Sequence, residues 1–370
     1  MPMPEDTDSL KQFNAARVST RPRSPARATT RDQSLDVAKG LGIILVVLGH
    51  CLDGLIASGF FPASTVWPML TVFVIYLFHM PLFFAVSGHL ASGKHRPVQP
   101  TLAKLAKTIA YPYFLWSILE GLALVYLNKY TTSKTQISVI FEILWAPIVP
   151  YWFLYALFFC QVGYLAVRRY SHWVQLAIAI VLFVAPQLFP HFISTTRLVI
   201  IPETTRGFLY FILGVISVAQ VKQFGRWTAV SATILFVLFA TLFYQSHLGG
   251  LVAWLAALPA GIAGIVATLA WARLLASRRN ITVNALAFCG RYSMSIYVTH
   301  IFFTAGVRIA LKRLFAGPGA TAGAGPTFLA SVTEIVAATV IGVSVPLVFN
   351  WIVSKFDLDQ WLGLQHMETA

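Results

Sequence analysis

A histidine set deep in an apolar run is the first chemically suggestive residue of this chain. The stretch RDQSLDVAKGLGIILVVLGHCLD, Arg31 to Asp53, joins a charged approach to a greasy segment. If that segment enters a bilayer as a helix near Leu41, His50 lies about 15 Å deep. Ionisable side chains are expensive inside hydrocarbon and are kept there mostly where they serve a pathway or a reaction. Lys39, His50 and Asp53 fall on one side of a helical wheel, which makes a polar stripe on an otherwise apolar helix. A neutral imidazole takes a proton from a hydroxyl near neutral pH, so His50 is a candidate general base. Asp53, three residues on, shares its face and is placed to orient the ring.

Other polar residues interrupt apolar runs. Glu120 sits in WSILEGLAL, His300 in GRYSMSIYVTHIFF among hydroxyl-bearing neighbours, and His79 in YLFHMPLFFAVSGHL, two residues before a proline that kinks a helix. His89 lies nearer the edge of that run. Singly, such residues hydrogen-bond between helices; together in one small bundle, His50, Glu120 and His300 read as a catalytic set. The loop after the second apolar run places Lys94, Arg96, Lys104 and Lys107 around a Gly/Pro turn. Closely spaced cations suit a phosphorylated ligand, since Lys and Arg pair with phosphate oxygens.

Elements of a particular kind are needed to hold these residues. Hydrophobic residues make up 57% of the 370 and charged residues only 11%, with a mean hydropathy of +0.72. Soluble domains carry about a quarter charged residues, so the expected class is an all-α integral membrane protein. Apolar runs at approximately 40–60, 68–92, 108–127, 151–168, 173–190, 207–222, 227–245, 251–275, 285–311 and 328–353 predict about ten transmembrane helices. With both termini cytoplasmic, 20 of the 27 Lys+Arg fall on inner segments and 7 on outer ones, as the positive-inside rule requires. The net charge of +14 therefore reads as topology and contact with membrane lipids, not as nucleic-acid binding. Residues 1–33, rich in Pro, Ser, Thr and Arg, read as a disordered cytoplasmic tail. Residues 34–355 form the membrane domain and 356–370 a short cytoplasmic tail. The first run is too long for a signal peptide. Between runs, VIFEILWAPIVP is too short to span and reads as interfacial or re-entrant. The three cysteines follow no disulfide or metal motif.

Five segments in order resemble the acyltransferase-3 family of bacterial inner-membrane acyltransferases: LDVAKGLGIILVVLGH, FHMPLFFAVSGHL, a basic stretch ending in YPYFLWS, YWFLYALFF and GRYSMSIYVTHIFF. They cover roughly residues 31–355, and the nearest flavour is the fucose 4-O-acetylase-like and exopolysaccharide acetylase branch. The motifs of the separate membrane-bound O-acyltransferase superfamily find no match. The resemblance implies O-acetylation: an acetyl group passes from acetyl-CoA, with no permanently bound cofactor, to a sugar hydroxyl of an exported or surface polysaccharide or its lipid-linked precursor. It matches the family's first-span histidine to His50 and the family's charged approach to Arg31, Asp36 and Lys39. Where the family often has Arg-x-x-Arg, this chain reads Lys104-x-x-Lys107, which keeps charge but loses the bidentate fork.

A mechanism follows as an expectation. The donor's phosphates dock on a cytoplasmic basic rim, with Lys39, Arg96, Lys104 and Lys107 as candidates, and its pantetheine arm threads between helices toward His50. There the histidine either activates the acceptor hydroxyl or carries the acyl group. A glycan or lipid-linked oligosaccharide acceptor comes from the outer side, where Arg197, Glu203, Arg206, Trp67, Trp145 and Trp152 are candidates. A transporter or flippase of a glycan or lipid-linked intermediate is the alternative from another class, because buried His and Glu also serve proton relays. The paired broken halves common in transporters are absent from the sequence, and the inner basic rim favours the enzyme.

Overall fold

Among the described residues, every regular element is a helix. The structure, a computed structural model, describes residues 32–57, 59–61, 64–93, 97–128, 135–189, 198, 200–278, 280–315 and 328–364. The chain divides at Asp32 into two units, and the description below concerns the unit that begins at Gln33. The amino-terminal tail read from the sequence lies outside the described residues, apart from its last positions, and so do Arg31, Arg96 and Arg197.

Six helical stretches are long and apolar enough to cross a membrane: Gln33–Ala57, Trp67–Ala91, Val98–Tyr126, Arg226–Ser246, Gly250–Ala276 and Ser331–Lys355. Shorter apolar helices occupy Trp152–Val167, His172–Leu188 and Ser293–Val307. The chain is an α-helical membrane protein. Without a hydrophobic force between helices in lipid, close packing and buried polar contacts hold such a bundle together. Accordingly the large apolar residues of Arg226–Ser246, such as Ile234 and Val237, are exposed toward the surroundings.

The first helix, α1 (Gln33–Ala57), is the hub. It touches α2 (Trp67–Tyr76), α3 (His79–Ala91), and four helices from the other end of the chain. These are α12 (Gly250–Ala276), α13 (Ile281–Arg291), α14 (Ser293–Phe315) and α15 (Phe328–Lys355). Its contact with α13 is backbone against backbone. A Cβ on Gly290 would stand 1.8 Å from the Asp36 carbonyl oxygen, and one on Gly40 would stand 2.0 Å from that of Leu286. Only glycine fits at that crossing.

Several elements depart from the expected runs in ways local chemistry explains. The run 68–92 is two helices, because the chain breaks at Leu77–Phe78 before α3. Pro81 has no N–H to donate to the Leu77 carbonyl four residues back, so the ladder cannot continue through it. The break falls just ahead of His79. The run 285–311 is likewise split at Tyr292 into α13 and α14. The helix expected at 207–222 is α9 (Ile200–Ile216), followed by a four-residue helix, α10 (Val218–Val221). The helix expected at 108–127 begins earlier. It runs from α4 (Val98–Leu105) through a π-helical turn, Ala106–Ala110, into α5 (Tyr111–Tyr126).

The short semi-apolar segment folds back on the bundle. After α6 (Val139–Glu142), Ile143 and Ile148 are buried. Tyr113 of α5 donates to the Ile143 carbonyl, and Tyr155 of α7 (Trp152–Val167) donates to that of Leu144 at 2.9 Å. Backbone groups that carry no helical bond are thereby satisfied, as membrane burial demands. The remaining helices are α8 (His172–Leu188) and α11 (Arg226–Ser246).

Candidate active site

Three helices bring three histidines to one place. His50 comes from α1, His79 opens α3 and His300 lies on α14. The His50 ring lies 5.3 Å from that of His300, centroid to centroid, and 6.3 Å from the ring of Tyr76 at the end of α2. Tyr76 in turn lies 4.9 Å from His79. The break at Leu77–Phe78 sets Tyr76 and His79 side by side, His79 buried and Tyr76 at the edge of the cluster. Gly49 makes room for the tyrosine: a Cβ there would meet the Tyr76 ring at 2.7 Å.

Hydrogen bonds to backbone carbonyls fix two of the rings. Carbonyl oxygens only accept, so the ring nitrogens facing them carry the protons. His300 Nδ1 donates to the Tyr297 carbonyl at 2.7 Å and to that of Ile296 at 3.1 Å. His79 Nδ1 donates to the Ile75 carbonyl at 2.8 Å. In each neutral ring the lone pair is then on Nε2. His300 is wholly buried, and its Nε2 has no hydrogen-bond partner. An unsatisfied buried acceptor is costly to maintain. The ring that carries it stands beside His50, so an acceptor is left open where the imidazoles converge.

Asp53 meets a different partner from the one its spacing suggested. Its carboxylate accepts the Tyr76 hydroxyl, so the ring it steadies directly is the tyrosine's. Tyr76 is over a third exposed and Asp53 partly so. The pair closes one side of the His50 cluster.

A second polar cluster sits farther along α14. Glu120 of α5 is buried, and its Oε2 has no hydrogen-bond partner. The carboxyl lies beside the Tyr151 hydroxyl, which donates to the Val298 carbonyl at 2.8 Å. Tyr297 donates to the Pro150 carbonyl, and its ring stands 6.4 Å from Tyr151 and 6.3 Å from His300. A path of aromatic and titratable side chains therefore runs His79, Tyr76, His50, His300, Tyr297, Tyr151, Glu120. The structure brings His50 and His300 into direct contact and links Glu120 to them only through the two tyrosines.

The charged candidates are spread more widely. Asp36 is buried in the first turn of α1 and pairs with Lys39 at 3.1 Å. That pair stands about 16 Å along the helix from His50. Lys104 and Lys107 are exposed, one on α4 and one in the π-helical turn. On the other side, Arg206 of α9 pairs with Glu203 and lies over the Trp254 ring, 3.6 Å from its centroid. Trp67 and Trp152 are partly buried and Trp145 is exposed. Among the described residues no group of three or more His, Cys, Asp or Glu could hold a metal ion.

Tyr76, Tyr151 and Tyr297 are the site residues that sequence reasoning missed. Tyr297 carried a usable signal, standing one helical turn before His300 and so on its face. Tyr76 and Tyr151 carried none, because a helix break and an irregular loop place them.

Comparison with known proteins adds a family. A family model described as an acyltransferase domain matches residues 32–351. Two curated relatives are named nodulation protein NolL. The one from Mesorhizobium japonicum is 33% identical over 173 residues, 44% of this chain and 43% of its own length. The one from Sinorhizobium fredii is 29% identical over 203 residues, 54% of this chain and 52% of its own length. The chain thus spans about half the length of the curated relatives it matches. No solved structure matches.

Proposed function

The chain belongs to the acyltransferase family whose model covers residues 32–351, and from that premise we propose that it is a membrane-embedded O-acetyltransferase. It moves an acetyl group from cytoplasmic acetyl-CoA to a sugar hydroxyl of an exported or surface polysaccharide, or of its lipid-linked precursor, at the bacterial inner membrane. The observation that carries this reading is the His50 ring packed against His300, whose Nδ1 is tied to carbonyls and whose Nε2 lone pair is unpartnered. A base poised inside a low-dielectric bundle is what deprotonation of an alcohol needs.

The reaction needs few steps. The acceptor hydroxyl oxygen attacks the thioester carbonyl carbon; the new C–O bond forms and the C–S bond breaks. His50 takes the hydroxyl proton and returns it to the departing thiolate. His300 stabilises the imidazolium formed in between. Glu120, behind Tyr151 and Tyr297, holds the far end of the polar path. Acyl transfer through His50 itself is the variant of this scheme in which the ring bonds the acetyl carbon first.

The topology we propose has ten crossings with both termini cytoplasmic. The crossings are α1, α2–α3, α4–α5, α7, α8, α9, α11, α12, α13–α14 and α15. Lys39 then stands at the inner end of α1, with Arg31, Asp36, Arg96, Lys104 and Lys107 forming the rim that meets the donor's phosphates. Asp53 and Tyr76 stand on the acceptor side.

The test compares ester-linked acetyl on the host's extracellular polysaccharide in wild-type, deletion and His50→Ala strains, with polymer yield measured alongside. Loss of acetyl with polymer retained is the expected result. Loss of the polymer itself would point to a transporter or flippase, and normal acetylation in the His50→Ala strain would overturn the mechanism.

A further inference from the structure

Outside the histidine cluster lies a cavity of about 270 Å³ between α3, α9 and α12. Its long walls are apolar: Ala85 and Val86 of α3, Leu213 of α9, and Ile265, Val266 and Leu269 of α12. Tight contacts define its extent. Toward the break at Leu77–Phe78, α12 is pinned to the bundle, where a Cβ on Gly264 would meet Phe78 at 2.6 Å and one on Gly261 would meet the Tyr210 hydroxyl at 2.7 Å. That contact runs alongside the cavity, since Ile262 and Ile265 on either side of it both line the space. Ile262, at the edge of the cavity, is 40% exposed on the outer surface of the bundle. The space therefore reaches the outer surface of the bundle, and neither His50 nor His79 is among its lining residues.

Its other end is polar, with one arginine beside it. Ser217, Gln220 and His89 line it at the level where α1 begins. Arg273 of α12 donates to the carbonyl of Val221, itself a lining residue, at 3.5 Å. Lys222 and Arg226, next along the chain, are exposed. No acidic residue lines the cavity. An apolar slot that reaches the outer surface of the bundle, with amide and hydroxyl donors at its polar end and Arg273 beside them, has the shape of one lipid molecule with an anionic head.

We propose that this cavity is a binding site for an anionic phospholipid. One acyl chain lies between α3, α9 and α12, and the phosphate meets Arg273, Lys222 and Gln220. A cavity of about 150 Å³ takes the six carbons of benzene, so this one takes roughly ten methylenes, and the rest of the lipid stays in the bilayer. Basic pockets between helices at one membrane face are the known chemistry for such headgroups. The bound chain fills a gap that α12 leaves against α3 and α9, and so completes the packing beside the helix break that positions Tyr76 and His79. The site is independent of what the histidine cluster catalyses.

Full-length protein in nanodiscs of equal phosphatidylglycerol and phosphatidylcholine, examined by native mass spectrometry, tests this. The wild type retains one phosphatidylglycerol per chain in large excess over phosphatidylcholine. Leu269→Trp fills the slot and releases that lipid; Val266→Phe, a smaller intrusion, weakens its retention and serves if the tryptophan variant fails to fold. The pair Arg273→Gln, Lys222→Gln keeps a lipid but loses headgroup preference, roughly fivefold for each cation removed. Three results would overturn the proposal: equal retention of the two lipids by the wild type, no effect of either filling variant, or one-for-one displacement of the lipid by acetyl-CoA. The last would make the cavity a donor-arm site. Glycerol 3-phosphate without chains is expected to leave the lipid in place, and its binding alone at the same residues would also count against a chain site.

Discussion

At the scale of single residues, the cluster assigns different work to three imidazoles that look alike in the sequence. His50 is packed between His300 and Tyr76. His79 and His300 each spend Nδ1 on a backbone carbonyl. Removing a general base slows a reaction by roughly 10²–10⁴-fold. His50→Ala is expected to fall by that much with the protein still folded. His300→Gln, assayed at saturating substrates, is expected to lower kcat by roughly tenfold to a hundredfold while leaving KM for acetyl-CoA within about twofold, since it touches the base and not the donor's phosphates. A KM effect without a kcat effect would show that His300 only shapes the donor path. His50 and His300 were legible in the sequence because an ionisable residue at membrane depth is conspicuous. Asp53 was legible as a partner but matched to the wrong ring, since spacing along one helix says nothing about a tyrosine delivered by another.

At the scale of elements, two breaks and one glycine crossing place these residues. Pro81 forces the chain to part at Leu77–Phe78, and Gly40 with Gly290 lets α13 touch α1. Pro81 marked a kink near His79 in the sequence, and the break lies at Leu77–Phe78 because the bond a proline forfeits belongs to the carbonyl four residues earlier. Apolar runs located most of the long helices, yet 285–311 was read as one helix although Gly290, Arg291 and Ser293 interrupt its apolar character around the split at Tyr292. Overpacking a tight contact costs about 1–3 kcal/mol and more where backbone must move. Gly290→Val is expected to lower the melting temperature of the detergent-solubilised protein and its yield. Gly225→Ala, where nothing lies within 4 Å of the added Cβ, is the control and should melt as the wild type does. Equal melting of the two would contradict the crossing.

At the scale of the whole molecule, charge asymmetry and helix order meet in one arrangement. The Asp36–Lys39 ion pair and the Asp53–Tyr76 pair lie toward opposite ends of α1, with His50 between them. Reporter fusions at each terminus should both report cytoplasm, and a fusion after Tyr126 the opposite side. If the exposed Lys104 and Lys107 meet the donor's phosphates, Lys104→Ala with Lys107→Ala raises KM for acetyl-CoA severalfold with little change in kcat. The measurement that bears most directly on the central claim uses purified protein in proteoliposomes, labelled acetyl-CoA and the host's own de-acetylated polysaccharide. Wild type should move label onto the glycan as a base-labile ester, and His50→Ala should do so at least a hundredfold more slowly at the same folded concentration. Label transfer by His50→Ala at the wild-type rate would contradict the assignment of the chemistry to this histidine cluster.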